Sequence, residues 1–467
     1  MISEREFNLL KELVARDSMD SLKRTIKEWE LTDFQAFCVA FCYIREKAII
    51  SLDTGMGKTL VSASLMNLDT SRKKWLFVSK NTNLTQNTNK LRRLLFNKTV
   101  TCTTAQQDEM KLFAVTGLQN DVYVITYETF SSYEFCDLLF KIRNNFIGII
   151  VDESHNIGNI GSNRSEMIKA MLKNCFKYQF FLTATPLTTN PLQILNQISM
   201  IDPSLVPDPQ ELAMKYTIYK NGSVIGYHNL DELNKIISDY GLRYINVTRE
   251  SQNMRGNYTP KLYICEHDRQ EVINTPDKLK NLKSNPSCLS VSAVKNIVKR
   301  NIKSGKKGLI YANMNVYKSM LMEELSKICK VCLLDGSVKK GDKDIIVADF
   351  NNDKYDVLVS NLTEGRDMPC DYIIFYEMTS LFKQFIGRGE RGLSGRDLEI
   401  DFVLMADSYE IKFFYNHIYK VSILLNKLCG KDTMEIAAIE KQLSNYLSEE
   451  DLMDFEDLKN VNKDLYW

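Results

Sequence analysis

Short runs that are apolar at every position, rather than at alternate ones, recur through the middle of the chain. Residues 49–52, 75–78, 122–126, 146–151 and 180–183 form a first series, with stretches of helical spacing between them. A run of that kind predicts a strand buried on both faces, hence a parallel sheet wrapped by helices. A second series over residues 308–312, 331–334, 356–360, 372–376 and 400–405 repeats the βαβ signature at a spacing of about 20–25 residues. Before the first series, Phe7, Leu10, Leu13, Val14, Leu22, Ile26 and Trp29 recur at helical spacing. After the second, Ile423, Leu424, Leu425, Leu428, Ile439, Leu443, Tyr446 and Leu447 do the same.

The expected architecture is α/β, with two tandem doubly wound parallel-sheet lobes and short helical additions at either end. It divides as a helical segment over 1–30, a first lobe over 31–205, a helical insertion and connector over 206–285, a second lobe over 286–406 and a helical element over 407–467. Within the connector, residues 230–240 read as helix and residues 246–258 as a polar, glycine-containing link.

Composition narrows the function only a little. The 467 residues are 44% hydrophobic and 25% charged, with a net charge of +1, so no global field draws a polyanion and any polynucleotide must meet local basic surface. Candidate clusters are Arg72-Lys73-Lys74, Lys90 with Arg92 and Arg93, and the run Lys295, Lys299, Arg300, Lys303, Lys306 and Lys307. A charge run is ordinarily a solvated face, and only a shared groove makes it a polyanion track. Eleven scattered cysteines indicate free thiols in a reducing compartment, with Cys329 and Cys332 read as strand thiols rather than zinc ligands. No apolar run approaches the ~18 residues of a membrane-spanning helix.

The chemistry concentrates after the first strand. Asp53, Thr54, Gly55, Met56, Gly57, Lys58, Thr59 and Leu60 read as a glycine turn opening a helix. Its amides converge on an anion, Lys58 reaches β/γ-phosphates and the Thr59 hydroxyl ligates Mg²⁺. Leu52 stands where the strict phosphate-loop pattern has its first glycine. Gln35, twenty residues upstream of Gly55, offers a donor and an acceptor to an adenine edge.

Adjacent carboxylates Asp152 and Glu153 close the most apolar strand, Asp152 suited to hold Mg²⁺ and Glu153 to deprotonate an attacking water. Other strand ends carry Ser79-Lys80, Thr126-Tyr127 and Thr183-Ala184-Thr185-Pro186. In the second lobe, Gln384, Gly387, Arg388 and Arg391 share one helical face, which presents two cations to a transferring phosphoryl group. Asp367 lies in a polar loop expected near them.

Taken in order, these segments resemble the motif series of the superfamily 2 helicases and translocases of the DEAH/DExH-box kind, over residues 31–395. Gln35 falls at the family's adenine-reading glutamine, Gly55 to Thr59 at its phosphate loop and Asp152-Glu153-Ser154-His155 at its D-E-x-H box. Thr183 to Pro186 match its S/T-A/G-T motif, and Gln384 to Arg391 its Q-x-x-G-R-x-x-R motif. Within the superfamily the chain looks most like the SWI/SNF-type remodelling ATPases. The carriers are Leu182 to Pro186 followed by Asn190, Leu195 and Asp202-Pro203; residues 121–130; Leu334-Asp335-Gly336-Ser337; and Arg249 with Pro260-Lys261. It departs from them at Asp53-Thr54 and in Thr363-Glu364-Gly365-Arg366-Asp367, which is closer to branch-migrating helicases, and its duplex-clamping insertions look shortened.

The resemblance implies two RecA-like lobes acting on ATP and Mg²⁺, with Arg388 and Arg391 as arginine fingers. It implies a polynucleotide, DNA before RNA, held by Ser79, Lys80, Thr126, Tyr127, Asn313 and Thr363. It also implies proteins bound to that DNA as targets, a cytoplasmic or nucleoid setting, and no membrane. Two other readings stay open: a strand-separating or branch-migrating helicase, and a nucleotide-gated binding subunit that recruits a partner.

Overall fold

The computed structural model describes residues 31–53, 55–95, 97–102, 118–158, 163–187, 192–220, 223–239, 244–247, 258–267, 273, 275–362, 367–379, 381–390, 397–419, 443 and 446. The chain divides into two units, Met1–Arg249 with Lys427–Gly430 and Glu250–Asn426 with Lys431–Trp467. The boundary at Arg249 falls inside the segment read from sequence as a connector. The helices expected over residues 1–30 lie outside the described residues, as does most of the C-terminal stretch.

In the first unit, α1 (Asp33–Arg45), β1 (Lys47–Leu52), α2 (Lys58–Leu68), β2 (Lys74–Ser79), α3 (Leu84–Leu94), β3 (Val100–Cys102) and β4 (Val122–Thr126) lead to α4 (Tyr127–Phe130) and α5 (Tyr133–Ile142). Then come β5 (Phe146–Asp152), α6 (Asn163–Cys175), β6 (Tyr178–Thr183), α7 (Gln193–Ile201), α8 (Pro209–Tyr216), β7 (Thr217–Lys220), β8 (Ser223–Tyr227), α9 (Leu230–Asp239) and β9 (Tyr244–Val247). Seven strands form one parallel sheet in the order β3-β4-β2-β5-β6-β1-β9. The continuous apolar runs explain it, since β1, β2, β4 and β6 are buried at nearly every position, as a strand covered on both faces requires.

Packing between strands is equally specific. The Trp75 ring stacks on Tyr178 and Phe180 at 5.8 and 6.2 Å, and a Cβ at Gly148 on neighbouring β5 would sit 2.3 Å from that ring. Gly148 is therefore the residue that lets β2 and β5 pair beneath a tryptophan.

Among its described residues, the segment over 206–285 read as a helical insertion and connector holds three helices but also strands. β7 and β8 make an antiparallel hairpin, and β9 adds to the first sheet beside β1, Ile49 facing Tyr244 and Leu52 facing Val247. These strands are short, and what orders β9 is the exposed edge of β1, a tertiary partner with no trace in local hydrophobicity.

In the second unit, β10 (Tyr258–Cys265), α10 (Pro276–Lys283), α11 (Leu289–Lys303), β11 (Gly308–Tyr311), α12 (Asn315–Ser326), β12 (Val331–Leu334), α13 (Lys340–Asn351) and β13 (Val357–Ser360) are followed by β14 (Tyr372–Phe375), α14 (Phe382–Glu390), β15 (Leu398–Met405) and α15 (Tyr409–Phe414). Its six strands are parallel in the order β10-β15-β14-β11-β13-β12. The pleat sends alternate residues to two cores: Ile373, Phe375, Ile400 and Phe402 to one face, Tyr372, Ile374, Val403 and Met405 to the other.

Two buried ion pairs fasten helices to the sheet. The Lys283 ammonium, fully buried, donates to both Glu410 oxygens at 2.9 and 3.1 Å and to the Val403 and Tyr376 carbonyls, which ties α10 to α15, to β15 and to the end of β14. Lys318 on α12 pairs at 2.5 Å with Asp335 in the turn after β12, and that lysine holds the Asp335 carboxyl below its ordinary range against the opposing effect of burial.

Candidate nucleotide site

All four polar strand ends singled out from sequence lie along one edge of the first sheet, because β2 ends at Ser79, β4 at Thr126, β5 at Asp152 and β6 at Thr183 and all run parallel. That carboxyl edge is where open α/β sheets bind ligands. β1 delivers its turn to the same edge. Gly55 and Gly57 take φ of 82° and 88°, a left-handed backbone that glycine adopts without strain. Gly57 then caps α2, and the Met56 amide donates back to the Asp53 carbonyl at 3.3 Å. Thr54 lies outside the described residues.

Gln35 is bolted to this loop. Its Nε2 donates to the Met56 carbonyl at 3.0 Å while its Oε1 accepts from the Thr32 amide at 3.0 Å. A Cβ at Gly57 would come 2.4 Å from that Nε2, so glycine is required by the close approach as well as by the turn. The residue expected to read a base thus also braces the turn that would hold the phosphates.

Lys58, Thr59 and Leu60 open α2, all half-buried. The Lys58 ammonium donates to the Leu52 carbonyl at 3.3 Å and stands 3.8 Å from the Glu153 carboxylate, which brings together the two halves of the site predicted from sequence. Burial, followed by the charge of neighbouring Glu153, pushes the Asp152 carboxyl above its ordinary range, and Lys58 and the Asn87 amide work against that rise. From Glu153 a polar chain runs through His155 Nδ1 at 3.5 Å to Thr183 Oγ1 at 3.1 Å, and Thr183 Oγ1 donates to the Thr185 carbonyl at 3.0 Å. The acidic pair is thereby linked to the loop after β6.

The donor set fits a nucleoside triphosphate with Mg²⁺. A left-handed glycine turn at the start of an eleven-residue helix offers amides to phosphate, and Thr59 with Asp152 supplies the hydroxyl and carboxylate oxygens that a hard cation takes.

The residues assigned to a polynucleotide fall differently. Ser79, Thr126 and Tyr127 are buried, so their side chains lie beneath the polymer-facing surface expected for them. Ser79 Oγ accepts from Asn87, Thr126 Oγ1 caps α4 by accepting from the Thr129 amide at 3.1 Å, and the Tyr127 hydroxyl donates to the Asp152 and Glu153 carbonyls. Lys80 is half-buried at the end of β2. Asn87 and Tyr127 thus bond to the acidic pair, a contact that motif reading did not foresee. The available signal was a polar pair, Asn87 and Thr88, on the buried stripe of α3 between Leu84 and Leu91.

In the second unit, α14 carries Gln384 and Arg388, and Arg391 lies just outside the described residues. Arg388 donates to Asp367 at 3.4 Å, so two of the predicted residues meet. Gln384 is buried and its Oε1 has no hydrogen-bond partner. Asn313 is exposed at the end of β11, its amide donating to Glu377 at 2.6 Å and its Oδ1 accepting from Asn361 at 3.1 Å; Thr363 lies outside the described residues.

The basic run is largely spent internally. Arg300 and Lys306 pair with Glu399 at 3.1 and 2.5 Å, Lys295 with Glu324 at 2.6 Å and Lys307 with Asp353 at 2.7 Å.

A glycine phosphate loop, an acidic strand end and a parallel sheet in the first unit, with a second parallel sheet downstream, define a P-loop nucleoside triphosphatase of the two-sheet RecA-like kind. Residues 16–188 match the family described as "Type III restriction enzyme, res subunit", and residues 290–392 match "Helicase conserved C-terminal domain". With both domains present in that order, the chain belongs to helicase superfamily 2. Among solved structures it is similar to the Sulfolobus solfataricus SWI2/SNF2 ATPase core in complex with dsDNA, at 16% identity over 88% of this chain and 96% of that one, with a TM-score of 0.41. No curated protein matches the chain. Among the described residues, no helix is long and apolar enough to cross a membrane.

Proposed function

We propose that this superfamily 2 ATPase core hydrolyses ATP to translocate on nucleic acid, on double-stranded DNA in preference to RNA, and so remodels DNA or the proteins bound to it. The observation that carries the enzymatic part is the convergence of Lys58 and Glu153, 3.8 Å apart, at the edge where the Gly55 to Gly57 turn opens α2. Lys58 and the loop amides bind the β/γ-phosphates, and Glu153 takes the proton of the attacking water. Thr59 and Asp152 would hold Mg²⁺, which would supply neutralisation of phosphate charge. Gln35 contacts the nucleotide; by the family resemblance Gln384, Asp367, Arg388 and Arg391 serve ATP binding and hydrolysis, with Asp367 holding Arg388. Lys80, Asn313 and Thr363 contact polymer phosphates. The preference for duplex rests on the SWI/SNF-like motifs at residues 121–130, 182–186 and 334–337.

Steady-state ATPase of wild type and Lys58→Ala, with no polymer, single-stranded DNA, duplex DNA, forked DNA or RNA at two salt concentrations, tests the reading. The expected result is greatest stimulation by plain duplex, weakened by salt, and loss of turnover in Lys58→Ala. Stimulation by single strands or forks alone replaces translocation with strand separation. No stimulation by any polymer replaces it with a recruited nucleotide-gated subunit.

A further inference from the structure

Two side chains from neighbouring elements grip the acidic pair. Asn87 is buried on α3, and its Nδ2 donates at once to Ser79 Oγ at 2.9 Å and to Asp152 Oδ2 at 3.0 Å. One amide thus joins the end of β2 to a carboxylate oxygen at the end of β5. Tyr127, 1% exposed, is the first residue of α4, and its hydroxyl is shared between the carbonyl oxygens of Asp152 and of Glu153, the latter at 3.1 Å. The Glu153 carbonyl also accepts from Asn156 Nδ2 at 2.6 Å.

Glu153 needs such holding. Its φ is 54°, a left-handed conformation that a glutamate does not take on its own preference, so the surrounding hydrogen bonds have to fix it. The backbone angle at that residue decides where its carboxylate points. Asn87 restrains the first carboxylate directly, and Tyr127 restrains the second through its main chain.

We propose that Asn87 and Tyr127 are positioning residues for hydrolysis, and that through them the loop after β2 and the junction of β4 with α4 govern the geometry of Asp152 and Glu153. A shift of the Ser79-Lys80 loop moves the partner of Asn87, and a shift at Thr126 moves the base of Tyr127. Polymer contact at those strand ends is thereby converted into alignment of the carboxylates. This last step rests on the motor reading above; the positioning role does not.

Tyr127→Phe keeps the ring and removes the hydroxyl, and Asn87→Ala removes the amide from a different element. On the full chain, the affinity for a non-hydrolysable ATP analogue and for a duplex oligonucleotide is measured by fluorescence titration. kcat and KM for ATP follow, with and without saturating duplex. Both affinities are expected to stay within about threefold of wild type, while kcat falls about 10- to 100-fold and the stimulation ratio drops toward one. Wild-type kcat and stimulation in either variant overturns the proposal. So does a fall in kcat matched by an equal loss of analogue affinity, because that marks a collapsed loop rather than misaligned carboxylates. If Tyr127→Phe does not fold, Asn87→Ala decides alone. A wild-type protein that no polymer stimulates defeats the motor reading, and the split between basal kcat and analogue affinity still decides the positioning role.

Discussion

Glu153 shows how much of the chemistry rests on single torsions. Its left-handed backbone costs about 1–3 kcal/mol and persists because Tyr127 and Asn156 bind its carbonyl. A residue held at that cost, 3.8 Å from Lys58, is placed for its carboxylate. Glu153→Gln keeps size and hydrogen-bonding shape but cannot take a proton. It is expected to bind nucleotide like wild type and to lose turnover by about 10²–10⁴-fold, read as unchanged analogue affinity in fluorescence titration beside absent phosphate release. Full turnover in that variant would remove Glu153 as the base. The acidic pair and the glycine turn were legible in sequence because each is a local string at the end of an apolar run. Asn87 and Tyr127 were not, because their meaning lies in hydrogen bonds to residues 65 and 25 positions away.

Among elements, β15 carries the sharpest electrostatic contrast. Glu399, at its solvent end, gathers Lys261, Arg300 and Lys306, and those cations hold its carboxyl at about 2 against the desolvation that opposes them. Asp401, two residues on and fully buried, has neither oxygen hydrogen-bonded among the described residues; burial pushes its carboxyl up to about 6 against the pull of Arg300, at 3.8 Å, and of Lys261 and Lys306. The consequences for folding run in opposite directions. The raised Asp401 means the folded state takes up a proton that the unfolded state lacks between about pH 4 and 6. Stability therefore falls as pH climbs through that window and stays lower above it. The depressed Glu399 contributes stability above its unfolded value, and this is lost on acidification toward pH 2. Asp401→Asn is expected to raise the melting temperature at pH 8, by the equivalent of about 1–3 kcal/mol, and to leave it unchanged at pH 4. Equal shifts at both pH values would show that packing, not charge, decides the site. The same stretch marks the limit of sequence reading at this scale. The runs that became β1, β2, β4, β5, β6, β11, β12, β13, β14 and β15 were visible from continuous hydrophobicity. β9 and the β7–β8 hairpin were not, since short strands of mixed polarity are ordered by the edge or partner they pair with. The basic run after residue 295 looked like a track because its acidic partners Glu324, Asp353 and Glu399 are distant in sequence.

For the whole molecule, the question is why one chain carries two parallel sheets when only the first has a phosphate loop. The first unit contains the residues proposed to bind a triphosphate and activate water, with Lys58 and Glu153 3.8 Å apart. The second unit has an arginine held in reserve: the Arg388 side chain is 11% exposed and paired with Asp367, at the buried end of α14 where Gly389 packs so closely on Cys370 and Ile373 that a Cβ would meet them at 2.7 and 2.8 Å. Such packing fixes the helix and lets the guanidinium be presented at low entropic cost. If hydrolysis belongs to the molecule rather than to its first unit, Arg388→Ala leaves nucleotide affinity nearly intact and lowers kcat by about 10³-fold or more. Arg388→Lys should recover little of it, because an ammonium lacks the planar fork that stabilises a transferring phosphoryl group. Phosphate release under saturating ATP, with analogue affinity measured alongside, reads both variants. Wild-type kcat in Arg388→Ala would confine catalysis to the first unit and leave the second as a polymer-binding partner. A loss of kcat with retained affinity would assign Arg388 to hydrolysis rather than to binding of the nucleotide.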